Sequence, residues 1–117
     1  MNPNIPDAIV VLTTVENEEQ AVRIARQLVE SHLAACVQVM PRMTSIYRWE
    51  ENVEVASEQL LIIKTTRFNY PELEIAIRNA HPYQVPEIIA IPVVAGSTDY
   101  LRWLEDSVRA GSLRQTS

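Results

Sequence analysis

Apolar residues recur along this chain in two rhythms, and the rhythms alternate in a readable order. Ala8 to Thr14 is a continuous, β-branched run, the pattern of a central strand buried on both faces. Ala21, Ile24, Ala25, Leu28 and Val29 then recur at helical spacing, with Arg23, Arg26, Gln27 and Glu30 on the other side. Asn17 is placed to cap that helix and Gln20 to reach back to it, while Glu18 and Glu19 suit the positive end of the helix dipole. The helix is expected to run out near Ser31-His32.

Leu33 to Val39 reads as extended, and Pro41 interrupts it, because a proline cannot donate to a sheet ladder. Thr44 to Trp49 resumes at the strand period. Glu51-Asn52 is the expected turn, and a long second arm returns from Val53 to Thr66. Pro71 and Pro82 bracket a second helix that faces inward through Tyr70, Leu73, Ile77 and Ala80. The proline-stiffened loop His81 to Pro86 leads into a strand from Glu87 to Val94, where Pro92 marks an edge or a bulge. After Gly96, Ser97 or Thr98 caps a last helix through Tyr100, Leu101, Leu104 and Val108, and the tail from Gly111 reads as frayed.

The order is β-α-β-β-α-β with an extended hairpin and an additional C-terminal helix: an α+β, ferredoxin-like arrangement filling one domain across residues 1–117, its core at about 8–108. A hairpin arm of some fourteen residues would span about 45 Å, against about 20 Å for a helix of similar count. Two helices cannot cover such a hairpin. Its outer part would expose apolar side chains and unpaired backbone, so a second copy of the chain is the expected cover.

Composition narrows the function classes. The chain has 117 residues, a formal charge of −5 and 47% hydrophobic residues, normal for a globular domain. A pI near 5.0 speaks against nucleic acid and against an anionic membrane surface. The two glycines, Gly96 and Gly111, are too few for a phosphate-cradling loop. The single cysteine forbids an internal disulfide and suits a reducing compartment. No leader pattern opens the chain, and its apolar runs fall far short of the roughly 18 residues that a membrane span needs. The expected location is the cytoplasm.

Few residues carry candidate chemistry. Cys36 has only apolar neighbours in sequence and reads as a small buried hydrophobe. His32 sits where a helix end favours positive charge. His81 and Glu87 share the proline-stiffened loop, and an imidazole with a carboxylate makes a plausible pair of divalent-metal ligands. Lys64 closes the apolar run Leu60 to Ile63, so it either serves a site or snorkels to water. Tyr47 and Trp49 share one face of the hairpin, as interface anchors or cleft walls. No nucleophile, base and orienting group can be assembled, so no enzymatic activity is expected.

The segments Leu33–Val37, Thr44–Glu50, Lys64-Thr65, His81–Ile88, Pro92–Gly96 and Tyr100–Leu104 together resemble the CutA divalent-cation-tolerance family, in the family's order. The resemblance implies a ferredoxin-like subunit in a tight homotrimer whose long hairpins pair between subunits. It implies divalent metal ions as partners, copper above all, with no obligatory cofactor and no established reaction. The family's copper pattern uses a cysteine at the end of the first strand and two consecutive histidines after the second helix. Thr13 and Ala80 stand at two of those places here, leaving His81, so the metal expected is weakly held. The subunit plan is also similar to that of PII-type signalling trimers. That similarity implies the alternative of a ligand-sensing or scaffolding module, with Tyr47, Lys64 and Tyr83 near an intersubunit cleft and a small anion as ligand.

Overall fold

A computed structural model describes residues 7–109. Its elements are β1 (Ala8–Val15), α1 (Glu18–Glu30), β2 (Cys36–Val39), β3 (Met43–Trp49), β4 (Asn52–Thr66), α2 (Tyr70–Ala80), β5 (Ile89–Pro92) and α3 (Thr98–Ser107). A one-turn 3₁₀ segment, Arg67–Asn69, joins β4 to α2. The frayed tail expected from Gly111 lies outside the described residues. No described helix is long and apolar enough to cross a membrane.

The strands run β2-β4-β1-β5, each neighbouring pair antiparallel, and β3 also pairs with β4. Strand β4 is therefore the spine. Its inner half pairs with β1 from Ala8↔Thr66 to Val15↔Gln59, while β2 takes the opposite edge from Cys36↔Lys64 to Val39↔Leu61. The proline break at 40–42 ends β2, and β3 then continues along β4 from Met43↔Glu58 to Trp49↔Asn52. Beyond Gln59, no strand among the described residues lies along the β1-side edge of β4.

One sheet face carries the core. Ile9, Val11, Val15, Leu61 and Ile63 pack against Ala21, Ile24 and Leu28 of α1 and Leu73 and Ile77 of α2. Strand alternation sends Ala8 to the other face, where Leu104 and Val108 at the end of α3 cover it together with Ala35. Ile24 and Leu28 of α1 and Leu73 and Ile77 of α2, at about 1.5–3 kcal/mol for each buried side chain, hold these helices to the sheet.

Asn17 caps α1 as the sequence suggests, accepting a 2.9 Å hydrogen bond from Gln20 N–H. The return arm of the capping box is not made: Gln20 Oε1 is buried without a partner. His32 ends α1 by backbone shape rather than by charge. It is left-handed (φ 61°), and Leu33 N–H returns to the Leu28 carbonyl at 2.9 Å, a closed helix end that buries Leu33 to Ala35 before any strand begins. For this reason β2 starts at Cys36 and not at Leu33. Ser97, not Thr98, caps α3 through its Oγ.

The hairpin corrects the expected turn by one residue. Trp49 and Asn52 are the last paired residues, so Glu50 and Glu51 form the two-residue turn, with φ of 49° and 72°. Such turns favour glycine or asparagine at these places. The hairpin also stands out from the body, in a molecule measuring 50 × 25 × 24 Å. Ile46 and Val55, directly opposite one another, are 69% and 68% exposed.

Candidate ligand cleft

Where α2 stops, Pro82 and Pro86 hold the chain in an irregular loop that runs beside the end of β1 and the base of the hairpin. His81 anchors it. Its Nε2 donates to the Thr14 carbonyl at 2.6 Å, and since a carbonyl only accepts, the proton sits on Nε2. Nδ1 is then the acceptor, and it takes the Tyr83 N–H at 3.2 Å. Both ring nitrogens of this buried histidine are thus engaged. The imidazole also packs on the Tyr83 ring, with centroids 4.6 Å apart.

Tyr83 carries the loop across to the hairpin. Its hydroxyl donates to Glu58 Oε2 at 2.8 Å. Burial, followed by the hydrogen bond and the charge of Glu58, raises the Tyr83 phenol well above its ordinary pKa. The phenol therefore remains a neutral donor at physiological pH. Glu58 itself is 7% exposed although it stands in a polar stretch of β4.

Between loop and hairpin lies a cleft of about 830 Å³. Tyr47 and Trp49 of β3, Ala56, Ser57 and Glu58 of β4, Thr14 and Glu16 from the end of β1, and Tyr83 to Glu87 of the loop line it. Four residues singled out in the sequence, Tyr47, Trp49, Tyr83 and Glu87, therefore meet in one place. Lys64 does not join them within one chain. Six residues beyond Glu58 on the same strand, it lies about 20 Å away at the strand rise, with its ammonium 5.8 Å from the centre of the Tyr100 ring. Cys36, paired with Lys64, is half-buried rather than part of the core.

Glu58 and Glu16 were missed by sequence reading. Glu54 and Glu58 look like a solvated strand face, and only the distant loop, reaching it through Tyr83, withdraws Glu58 from water.

The donor set does not suit a tightly held metal. His81 offers no free lone pair in this arrangement, and Thr13 and Ala80 bring no soft or imidazole ligand. Among the described residues no three His, Cys, Asp or Glu side chains come close enough to hold one ion.

The family model described as CutA1 divalent ion tolerance protein matches residues 9–107. A divalent-cation tolerance protein CutA from Thermus thermophilus is 49% identical over 98 residues, covering 84% of this chain and 95% of that one. The crystal structure of CutA1 from the psychrotrophic bacterium Shewanella sp. SIB1 superposes with a TM-score of 0.87 at 39% identity, over 91% of this chain and 99% of that one. A CutA from Archaeoglobus fulgidus, described as periplasmic, gives 0.84 at 33% identity over 87% and 99%. A match over nearly the whole described chain, in sequence and in fold, has one meaning: this chain belongs to the CutA1 divalent ion tolerance protein family.

Proposed function

We propose that the chain works as a homotrimeric binding protein, not a catalyst, that takes a small ligand in the cleft beneath its hairpin. The observation that carries this is the withdrawal of Glu58, held by Tyr83 in the wall of an 830 Å³ space that Tyr47 and Trp49 also line. A side chain so placed serves poorly as packing and well as a recognition group. The trimer is supported by the family's resemblance and by the apolar hairpin, too long for its own helices to cover. Titrating the purified protein with panels of small metabolites, read by amide shifts of Tyr47, Trp49 and Tyr83, tests the cleft. Shifts confined to other surfaces would remove it.

Divalent metal, copper included, is the second reading, favoured by the family description and by Glu87 on the cleft rim. His81 and Glu87 would share the ion, and binding is weak because His81 has to release the Tyr83 N–H or the Thr14 carbonyl first. The cytoplasm remains the expected compartment, on the single cysteine and the acidic surface.

A further inference from the structure

The sheet has a second face, and among the described residues most of it has no layer over it. Alternation along the paired strands puts Val10 and Leu12 of β1, Leu60 and Ile62 of β4, and Ile89 and Ile91 of β5 on the side away from α1 and α2. Helix α3 covers only the end of this face near Ala8 and Ala35. The four residues on β1 and β4 are half-buried, and the two on β5 are about half exposed. Six neighbouring aliphatic side chains in water mark a surface that is covered in the assembled protein, and the protruding hairpin asks for the same cover, a second copy of the chain.

Two opposite charges frame that face. Glu58, Leu60, Ile62 and Lys64 are alternate residues of β4 and project from one side of one strand. Glu58 is withdrawn from water, with Tyr83 holding its Oε2 through a neutral donor. Lys64 is half-buried, its ammonium set against the Tyr100 ring. None of the salt bridges among the described residues includes either group. Arg42 reaches the neighbouring Ser57, but its Nη1 goes to Ser57 Oγ and the Glu16 carbonyl. Nor do Glu58 and Lys64 meet within one chain, since six positions of strand hold them about 20 Å apart.

Covering the aliphatic residues between these charges takes water from both, and a charge so treated needs an opposite partner. Each chain offers an acid at one end of the face and a base at the other. Copies related by rotation therefore match every such charge through one repeated contact.

We infer that Lys64 of one copy pairs with Glu58 of the next across this face, so that each cleft is completed by a neighbour's ammonium. The inference rests on the assembly of copies proposed above and adds the contact that fixes how they meet. It gives a place to Lys64, which stands apart from the cleft within one chain.

Two measurements on the full chain test the pair. A water-soluble carbodiimide joins a carboxylate and an ammonium in contact as an amide, with no spacer. Peptide mass mapping of the treated wild type is expected to find Glu58 linked to Lys64, a link that the strand forbids inside one chain. The second measurement is a double-mutant cycle of Glu58→Gln, which keeps an acceptor for Tyr83, and Lys64→Gln, read as the dilution midpoint at which light scattering loses the oligomer. Residues so far apart in one chain should act additively. Pairing between copies predicts about tenfold weakening for each single variant and no further weakening for the double. If Glu58→Gln does not fold, the wild-type cross-link decides alone. Either the link or the coupling supports the pair. An intact oligomer that shows neither overturns the inference and leaves the assembly standing, whereas a wild type that is monomeric throughout overturns both.

Discussion

His81 holds Thr14 across 67 positions of sequence, its Nε2 donating 2.6 Å to the Thr14 carbonyl at the end of β1. That bond fixes the tautomer, and the tautomer decides what Nδ1 can do: accept the Tyr83 N–H. The histidine most suggestive of metal chemistry is thereby the pin that sets Tyr83 over Glu58.

Replacing His81 with alanine removes two hydrogen bonds and leaves a buried carbonyl unsatisfied. The expected cost is about 2–4 kcal/mol, read as a lower urea midpoint with an unchanged slope. In the wild type, stoichiometric copper is expected to leave the His81 ring resonances in place, with broadening only at excess metal. Loss of those resonances at one equivalent would mean that the ring is a primary ligand.

The Tyr83 phenol has a raised pKa in the folded chain. The folded state thus binds this proton more tightly than the unfolded state, and the stabilisation is complete below pH about 10. It is lost as pH rises from there toward the folded value. Tyr70, raised by burial and then by Glu74, acts in the same direction. Unfolding free energy should therefore fall above pH 10, less steeply in Tyr83→Phe, and phenolate absorbance at high pH should show Tyr83 ionising late. An alkaline decline identical in the variant would count against this account.

Glu51 at φ 72° occupies backbone that a side chain resists. Glu51→Gly should relieve about 1 kcal/mol of that strain and separate two adjacent like charges, partly offset by the freedom glycine adds to the unfolded chain. Melting in low salt is expected to rise by a few degrees, the variant keeping its oligomeric mass.

Val55→Lys places a charge among the exposed apolar side chains of the hairpin, opposite Ile46. Light scattering is expected to give three times the 13.3 kDa chain mass for the wild type and a smaller mass for the variant at micromolar concentration. With few glycines, seven prolines and a shared hairpin, the wild-type assembly should melt above the roughly 45–65 °C of ordinary domains. A monomeric wild type would remove the basis for both expectations.

Much of this architecture is written in local signals. Asn17, Pro71, Pro82 and Ser97 punctuate the helices where the structure puts their ends, and the long apolar arm before Lys64 is β4. Three features are not local. The Glu50-Glu51 turn uses a conformation that glutamate seldom adopts, so composition pointed one residue too far. The segment Leu33–Ala35 looks like a strand because it is apolar, yet it is buried by a helix end. Strand β5 is shorter than its apolar run, since the chain from Pro82 to Ile88 follows the cleft and not the sheet. Of the cleft, the aromatic walls and Glu87 were legible, whereas Glu58 acquires its meaning only from a loop 25 positions away.

Strand β4 does two jobs in sequence. Residues 59–66 pair with β1 and shape the core, while residues 52–58 extend past it and carry the hairpin. The centres of these halves lie about 25 Å apart, too far for side chains to share partners, so substitutions in one half should add to those in the other. Selection can therefore adjust the surface of the hairpin without disturbing how the core folds. The exception is Glu58, at the seam, where a single change would touch both halves of the strand and the Tyr83 loop together.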